Sequence, residues 1–109
     1  MLKDDFIKMF NDRYGIALRF TDKEFELFCK MPQADKVWWH LKRLGKITNK
    51  ECHEVYGIRH CPSAIRDIRN NPFTYGDNHF YIESVKVNGE VDRFGKATHH
   101  DIYTLKQYT

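Results

Sequence analysis

Four polar side chains at helical spacing are the residues of this sequence best suited to recognition chemistry. They fall on one arc when residues 62–71 are drawn at 100° steps, and they are Ser63, Arg66, Asp67 and Asn70. An arginine can pair with guanine through two hydrogen bonds, an asparagine can pair with adenine, and an aspartate can accept from cytosine. The serine hydroxyl and the helix N-terminus beside it can meet a phosphate. The arc is therefore a candidate surface for reading DNA.

The same arc also has a plainer interpretation as the solvated side of an amphipathic helix, where Arg, Asp and Asn are common. The charge distribution favours the first interpretation. Residues 36–69 carry eight basic and three acidic side chains, whereas residues 1–35 carry six and seven and residues 70–109 carry four and five. The excess of positive charge thus lies on the segment with the polar arc, as expected of a surface that binds a phosphate backbone.

Two short helices are predicted to position this surface. A capping box formed by Thr48 and Glu51, with a hydrophobic staple around it, predicts that the first helix begins at Thr48. Gly57 ends that helix, and Pro62 lies in the first turn of the next one. Two short helices around a glycine-containing turn indicate a helix-turn-helix.

Three more helices are expected before this pair. Apolar spacing predicts one over residues 2–14 that ends at Gly15, and a second capping box predicts another from Thr21 to the residue before Pro32. The third is expected from Gln33 to Leu44. Its apolar face should hold Val37, Trp38, Leu41 and Leu44, with Trp39 and His40 outside it.

The residues after Asn70 change character. Residues 71–78 are rich in turn formers and predict a loop, whereas residues 79–87 alternate and predict a strand with a bulge near Ser84. Asn88-Gly89 predicts a type I′ hairpin turn, because both residues tolerate positive φ. The strands expected after it cover residues 91–94 and 101–105.

The order of these segments predicts the fold class. It is mainly α with a small β-hairpin wing (α+β), a winged helix-turn-helix with an N-terminal helical pair. A length of 109 residues favours a single domain, with an N-terminal helical extension at 1–31 and the winged helix-turn-helix at 33–105. The extension is a candidate surface for a protein partner or a homodimer.

The run from Leu44 to Leu105 resembles the small winged helix-turn-helix domains that are common among bacteriophage-encoded proteins. Residues 65–69, Ile-Arg-Asp-Ile-Arg, are similar to the core of that family's recognition helix, and residues 94–96 followed by 103–105 are similar to its wing. The resemblance implies sequence-dependent DNA binding, often in the regulation of phage genes, and no enzymatic activity. It places recognition-helix contacts on Ser63, Arg66, Asp67 and Asn70, and wing contacts on Arg93 and Lys96.

Three more basic residues complete the candidate DNA-binding set, namely Lys50, Arg59 and Arg69. Arg59 lies in the turn ahead of the second helix, and Arg69, at the edge of its apolar arc, is expected to meet a backbone phosphate or an acidic neighbour. The complete set is Lys50, Arg59, Ser63, Arg66, Asp67, Arg69, Asn70, Arg93 and Lys96.

Three segments that contain histidine are candidates for catalytic or metal chemistry. Cys52-His53 and His60-Cys61 suggest zinc, but no pair has the two-residue spacing of strong zinc motifs, so structural, reduced thiols are expected. His99-His100 with Asp101 resembles part of a nuclease site but lacks companion ligands, and a wing loop is the better interpretation. We therefore expect no enzyme activity, no cofactor and no metal.

The expected function is sequence-dependent binding of double-stranded DNA by a transcriptional or recombination accessory regulator from a phage or mobile element. The alternative is a protein-binding inhibitor or adaptor of a machine such as a nuclease or polymerase. The acidic residues of the predicted wing and the aromatic-rich N-terminal helical pair favour it. A mean hydropathy of −0.68, without an apolar run near 18 residues, argues against a membrane span. The N-terminus lacks a signal-like segment, so the cytoplasm, that of the host for a phage protein, is expected.

Overall fold

Six helices and three strands make up the regular structure in the described part of the chain. The computed structural model describes residues 1–76, 79–91, 94–95 and 97–107, with the backbone alone at 87–91 and 97–100. The segments are α1 (Lys3–Tyr14), α2 (Asp22–Cys29), α3 (Gln33–Leu44), β1 (Lys46–Thr48), α4 (Asn49–Tyr56), α5 (Cys61–Asn70), α6 (Pro72–Tyr75), β2 (Phe80–Val91) and β3 (Ala97–Gln107). They divide into two units, Met1–Pro32 and Gln33–Thr109.

The first unit consists of α1 and α2. α1 ends at Gly15, whose φ of 65° lies in the left-handed region that glycine adopts without strain. α2 begins with the predicted capping box, in which the Thr21 hydroxyl accepts from the Glu24 amide and the Glu24 carboxylate accepts from the Thr21 amide. The unit is held together by aromatic rings that surround Phe6 at centroid distances of 5.4 to 6.3 Å, namely Phe10, Phe20, Phe25 and Phe28.

In the second unit, helix boundaries follow the cap residues in the sequence. The Thr48 hydroxyl accepts from the Glu51 amide and the Glu51 carboxylate accepts from the Thr48 amide, both at 3.1 Å, so α4 begins where predicted. α4 ends at Gly57, with a φ of 68°, and α5 begins at Cys61 with Pro62 in its first turn. The two helices of the predicted helix-turn-helix are therefore present.

The three strands form one antiparallel sheet in the order β1-β3-β2. Ile47 on β1 pairs with Tyr103 on β3, and Ile82 on β2 pairs with Leu105. The elements follow the winged-helix order: α3, the short strand β1, the helices α4 and α5, the single turn α6, and the hairpin of β2 and β3. In the sheet, β3 lies between β1 and β2. The predicted fold class is confirmed.

The core of this unit lies between the sheet and the helices α3, α4 and α5. Each helix contributes its apolar side, the sheet contributes Ile47, Ile82 and Tyr103, and Ile58 fills the space under the turn between α4 and α5. The helical members are Ala34, Val37, Leu41, Cys52, Cys61, Ala64, Ile65 and Ile68. Burial of this set fixes which side of each helix faces water.

The predicted hairpin turn at Asn88-Gly89 is wrong. β2 runs through these residues to Val91, and Asn88 pairs with His99 on β3. In place of a turn, the strand pairing has a register shift between Asn88 and Val91. Asn88-Gly89 is compatible with such an irregularity, because a bulge also accommodates glycine. The bulge expected near Ser84 is likewise absent, since Ser84 pairs in register with Tyr103.

Two other local predictions need correction. The segment predicted as a loop at residues 71–78 contains the single helical turn α6. Trp39 and His40, expected outside the apolar face of α3, are buried, whereas Trp38 is only half-buried. The apolar side of α3 is thus wider than the sequence period indicated.

No helix in the part of the chain that the structure describes has both the length and the apolar character needed to cross a membrane.

The capping box at Thr48 provides a test of the local argument for α4. Replacing Thr48 with alanine removes the acceptor for the Glu51 amide, so the free energy of unfolding should fall by about 1 kcal/mol. Thr48→Ser keeps the hydroxyl and should retain most of the stability. Urea unfolding followed by circular dichroism measures both, and equal losses in the two variants would contradict the capping role.

Candidate nucleic-acid interface

α5 separates an apolar side from a polar side along its whole length. Its inner side is in the core, and the residues that it buries are Cys61, Ala64, Ile65 and Ile68. Arg66, Asp67 and Asn70 are exposed on the other side. The helical period predicts this division, and the structure places these three predicted recognition residues on one accessible surface. We call these three residues the α5 outer face.

The polar groups of the α5 outer face are available to an external partner. In the described structure, neither Arg66 nor Asn70 makes a side-chain hydrogen bond or ion pair with another residue, and the Asp67 carboxylate does not pair with Arg66. The Asp67 backbone carbonyl accepts from the Asn71 amide group at 2.8 Å, which helps to close the end of α5. A free guanidinium and a free carboxamide four residues apart can both reach one ligand.

Ser63 differs from the other predicted recognition residues. It is half-buried, and its hydroxyl lies 2.6 Å from Nδ1 of His60. The Ser63 backbone amide donates to the same nitrogen at 3.2 Å, so His60 caps α5. The hydroxyl therefore already takes part in the cap of the helix.

Arg69 connects α5 to the sheet. Its guanidinium donates to the backbone carbonyl of Ile82 on β2, with Nη2 to O at 2.6 Å. The expectation was a phosphate or an acidic neighbour, and within the fold its hydrogen-bond partner is this carbonyl. Because the carbonyl belongs to the hairpin, Arg69 fixes α5 relative to β2.

The remaining predicted contacts lie around the two helices. Lys50 at the start of α4 is exposed, and its Nζ lies 3.8 Å from Oε1 of Glu54. Arg59 is exposed in the turn before α5. Arg93 and Lys96 lie outside the described residues. Phe94 between them has 84% of its surface exposed at the end of the hairpin. The structure thus brings Arg59 next to α5 in the turn and leaves the wing contacts as predictions.

The cysteines form part of the core of the helix-turn-helix. Cys52 on α4 and Cys61 on α5 are buried free thiols in contact with each other. The hydrogen bond between these thiols, together with burial, raises the pKa of Cys52 far above its usual range. Protonated, buried thiols agree with the structural role expected from the sequence.

A buried polar group between α3 and α4 was not predicted. His40 is fully buried; its Nδ1 lies 2.5 Å from the Tyr56 hydroxyl, and its Nε2 lies 3.2 Å from a carboxylate oxygen of Glu51. The second contact does not have the geometry of a hydrogen bond. Glu51 also closes the capping box, so His40 links α3 to the start of α4. No spacing in the sequence distinguishes this histidine from an exposed one.

No protein-family model, curated protein or solved structure matches this chain.

Two arginines on α5 provide a matched pair for testing the site geometry. Arg69→Ala leaves the Ile82 carbonyl without its partner, and the free energy of unfolding should fall by about 1 kcal/mol. Arg66→Ala removes an exposed side chain without a partner, and stability should stay within about 0.5 kcal/mol. Urea unfolding compares the two variants with the wild type. A larger loss for Arg66→Ala than for Arg69→Ala would contradict the assignment of the two roles.

Proposed function

We propose that this protein binds duplex DNA in a sequence-dependent manner through the α5 outer face. The observation that carries the proposal is that the guanidinium of Arg66 and the carboxamide of Asn70 are both exposed and unengaged on a helix whose other side is buried. The polar side of such a helix is accessible to a partner.

The spacing of these groups suits a DNA groove. Residues four apart on a helix have Cβ atoms about 5–6 Å from each other, so Arg66 and Asn70 can reach neighbouring base pairs. The major groove is about 12 Å wide and admits an α-helix. Arginine and asparagine can each make two hydrogen bonds to a purine edge, to guanine and to adenine respectively. Their side chains supply the donors that such reading requires.

Asp67 contributes to specificity rather than to affinity. Its carboxylate repels phosphates, but it can accept from the exocyclic amine of cytosine in the groove. A carboxylate beside Arg66 therefore weakens binding to DNA of arbitrary sequence more than binding to a site that offers this donor. We propose that this balance makes the interaction sequence-dependent.

Basic residues near α5 can contact the DNA backbone. Lys50 and Arg59 are exposed on the helix-turn-helix segment, and residues 36–69, which include most of it, carry eight basic and three acidic side chains. Phosphate contacts fix the position and orientation of a protein on DNA, whereas base contacts specify the sequence. Arg69 supports this arrangement from within, because it ties α5 to the hairpin.

The proposed biological role is that of a transcriptional or recombination accessory regulator from a phage or mobile element. The proposal includes a location in the cytoplasm, where duplex DNA is accessible, and excludes an enzymatic step. The support for the role is the resemblance of residues 44–105 to phage winged helix-turn-helix domains and the chemistry of the α5 outer face.

Two exposed aromatic residues favour a second candidate function, the binding of another protein. Phe73 on α6 and Phe94 at the hairpin have 79% and 84% of their surfaces exposed. Exposed large apolar side chains are frequent anchors in protein interfaces. In this alternative, the protein would act as an inhibitor or adaptor of a machine such as a nuclease or polymerase.

Fluorescence polarisation with labelled duplex DNA tests the proposal. Binding to a mixture of random duplexes should weaken steeply between about 50 and 200 mM salt, because counterions are released from the phosphates. Against a duplex selected from that mixture, Arg66→Ala should lose about 1–3 kcal/mol of binding free energy and relax the preference at one position.

Arg19→Ala is the matched control, because Arg19 is an exposed arginine in the unit formed by residues 1–32. It should bind the selected duplex like the wild type. Absence of binding at low salt would exclude the DNA proposal and favour the protein-binding candidate. Equal losses for Arg19→Ala and Arg66→Ala would show that the contact is not made by the α5 outer face.

A further inference from the structure

A groove of about 480 Å³ opens in the second unit, and none of its lining residues belongs to the α5 outer face. Residues from α3, from α6 and the glycine after it, and from the paired ends of β2 and β3 line it. They are Trp38, Lys42, Tyr75, Gly76, His79, Phe80, Leu105 and Gln107. Its volume is within the range of small-ligand sites. We call it the Trp38 groove.

Three aromatic rings form its apolar part, with the Trp38 ring in contact with each of the other two. The Trp38 ring lies 4.8 Å from that of Phe80 and 5.8 Å from that of Tyr75, measured between centroids. The Tyr75 hydroxyl donates to Asp35 at 2.7 Å, and burial together with this carboxylate raises the pKa of Tyr75 to about 12. Tyr75 is therefore neutral at physiological pH and is held in place by its hydrogen bond.

Gly76 sets the position of the Phe80 ring. A Cβ atom built on Gly76 would lie 2.7 Å from two carbons of that ring, closer than atoms can pack. The backbone of Gly76 is extended, so the requirement for glycine here is spatial and not conformational. The shape of the groove thus depends on the absence of a side chain at this residue.

Among the described residues, the polar side chains that line the groove are cationic or neutral. Lys42 is exposed, and its ammonium group has no ion-pair partner among the residues that the structure describes. Gln107 offers both a donor and an acceptor, and His79 adds an imidazole. Two carboxylates act on Tyr75, Asp35 through its hydrogen bond and Asp67 through its charge, and neither is among the lining residues.

We propose that the Trp38 groove binds a nucleotide. The aromatic rings offer faces or edges to a planar base, Gln107 can pair with the polar edge of a heteroaromatic ring, and Lys42 can neutralise the phosphate. A free mononucleotide and an unpaired nucleotide of a single strand share this chemistry. The groove is lined by other residues than the α5 outer face, and the proposal does not require duplex binding.

Nuclear magnetic resonance of the full chain tests this site, because the chain has only two tryptophans and hence two indole N–H signals. The signals can be assigned with Trp39→Phe. Addition of deoxyadenosine monophosphate at low salt should shift the Trp38 signal in a saturable manner. Deoxyadenosine, which lacks the phosphate, should bind about twofold to fivefold more weakly if Lys42 contributes the energy of one exposed ion pair.

Lys42→Met should reduce nucleotide affinity by the same factor and abolish the difference between nucleotide and nucleoside. Lys46→Met is the matched control, since Lys46 is an exposed lysine on β1 that does not line the groove, and its affinity should equal that of the wild type. Gly76→Ala, which displaces the Phe80 ring, should weaken binding of both compounds. Circular dichroism should confirm that each variant is folded.

A single-stranded hexamer of deoxyadenylate separates the two sources of the ligand. Tighter binding of the hexamer than of the mononucleotide would assign the groove to a strand, and similar binding would assign it to the free nucleotide; both results support the proposal. No shift of the Trp38 signal with any of these compounds at millimolar concentration would overturn it. Equal losses for Lys42→Met and Lys46→Met would also overturn it, because they would indicate general electrostatic attraction.

Discussion

The rotational setting of α5 is the constraint on which the rest of the candidate DNA interface depends. Ala64, Ile65 and Ile68 are buried in the core, and a helix that buries one side has no freedom in what it presents on the other. A rotation of α5 that brought Arg66 inward would place a charge in the core and expose these apolar groups, which is costly on both counts. Packing, and not the polar residues themselves, therefore defines the recognition surface.

Several contacts around α5 maintain this setting. Arg69 ties the helix to β2, His60 caps its N-terminus, and the Cys52 and Cys61 thiols pack it against α4. α4 is in turn linked to α3 by the contacts of His40 with Tyr56 and Glu51. Polar contacts with specific geometry discriminate between alternative packings more sharply than apolar burial does. The helix-turn-helix thus has a defined geometry before any ligand binds.

The sequence predicts the helices of this fold well and the hairpin poorly, and the difference has a physical cause. Capping boxes and left-handed glycines act within one helical turn, so Thr48 and Gly57 define α4 without reference to the rest of the chain. The strands depend on long-range pairing. A turn at Asn88-Gly89 would have opposed residues 91–94 to β2, whereas the longer hairpin lets Tyr103 pair with Ser84 on one side and with Ile47 on the other.

The same contrast between local signals and long-range contacts applies to the candidate sites. The α5 outer face follows from helical period alone, whereas the carbonyl partner of Arg69 and the burial of His40 depend on tertiary contacts that no local pattern encodes. The residues that line the Trp38 groove are far apart in the sequence, from Trp38 to Gln107, so the groove exists only in the folded chain.

The most direct measurement of the central claim is a titration of the ¹⁵N-labelled protein with a selected duplex, followed by amide chemical shifts. If the α5 outer face reads DNA, the largest shifts should fall on residues 62–70 and in the turn at Arg59, and α1 and α2 should change little. Shifts that spare α5, or that appear equally with a duplex of unrelated sequence, would contradict the claim.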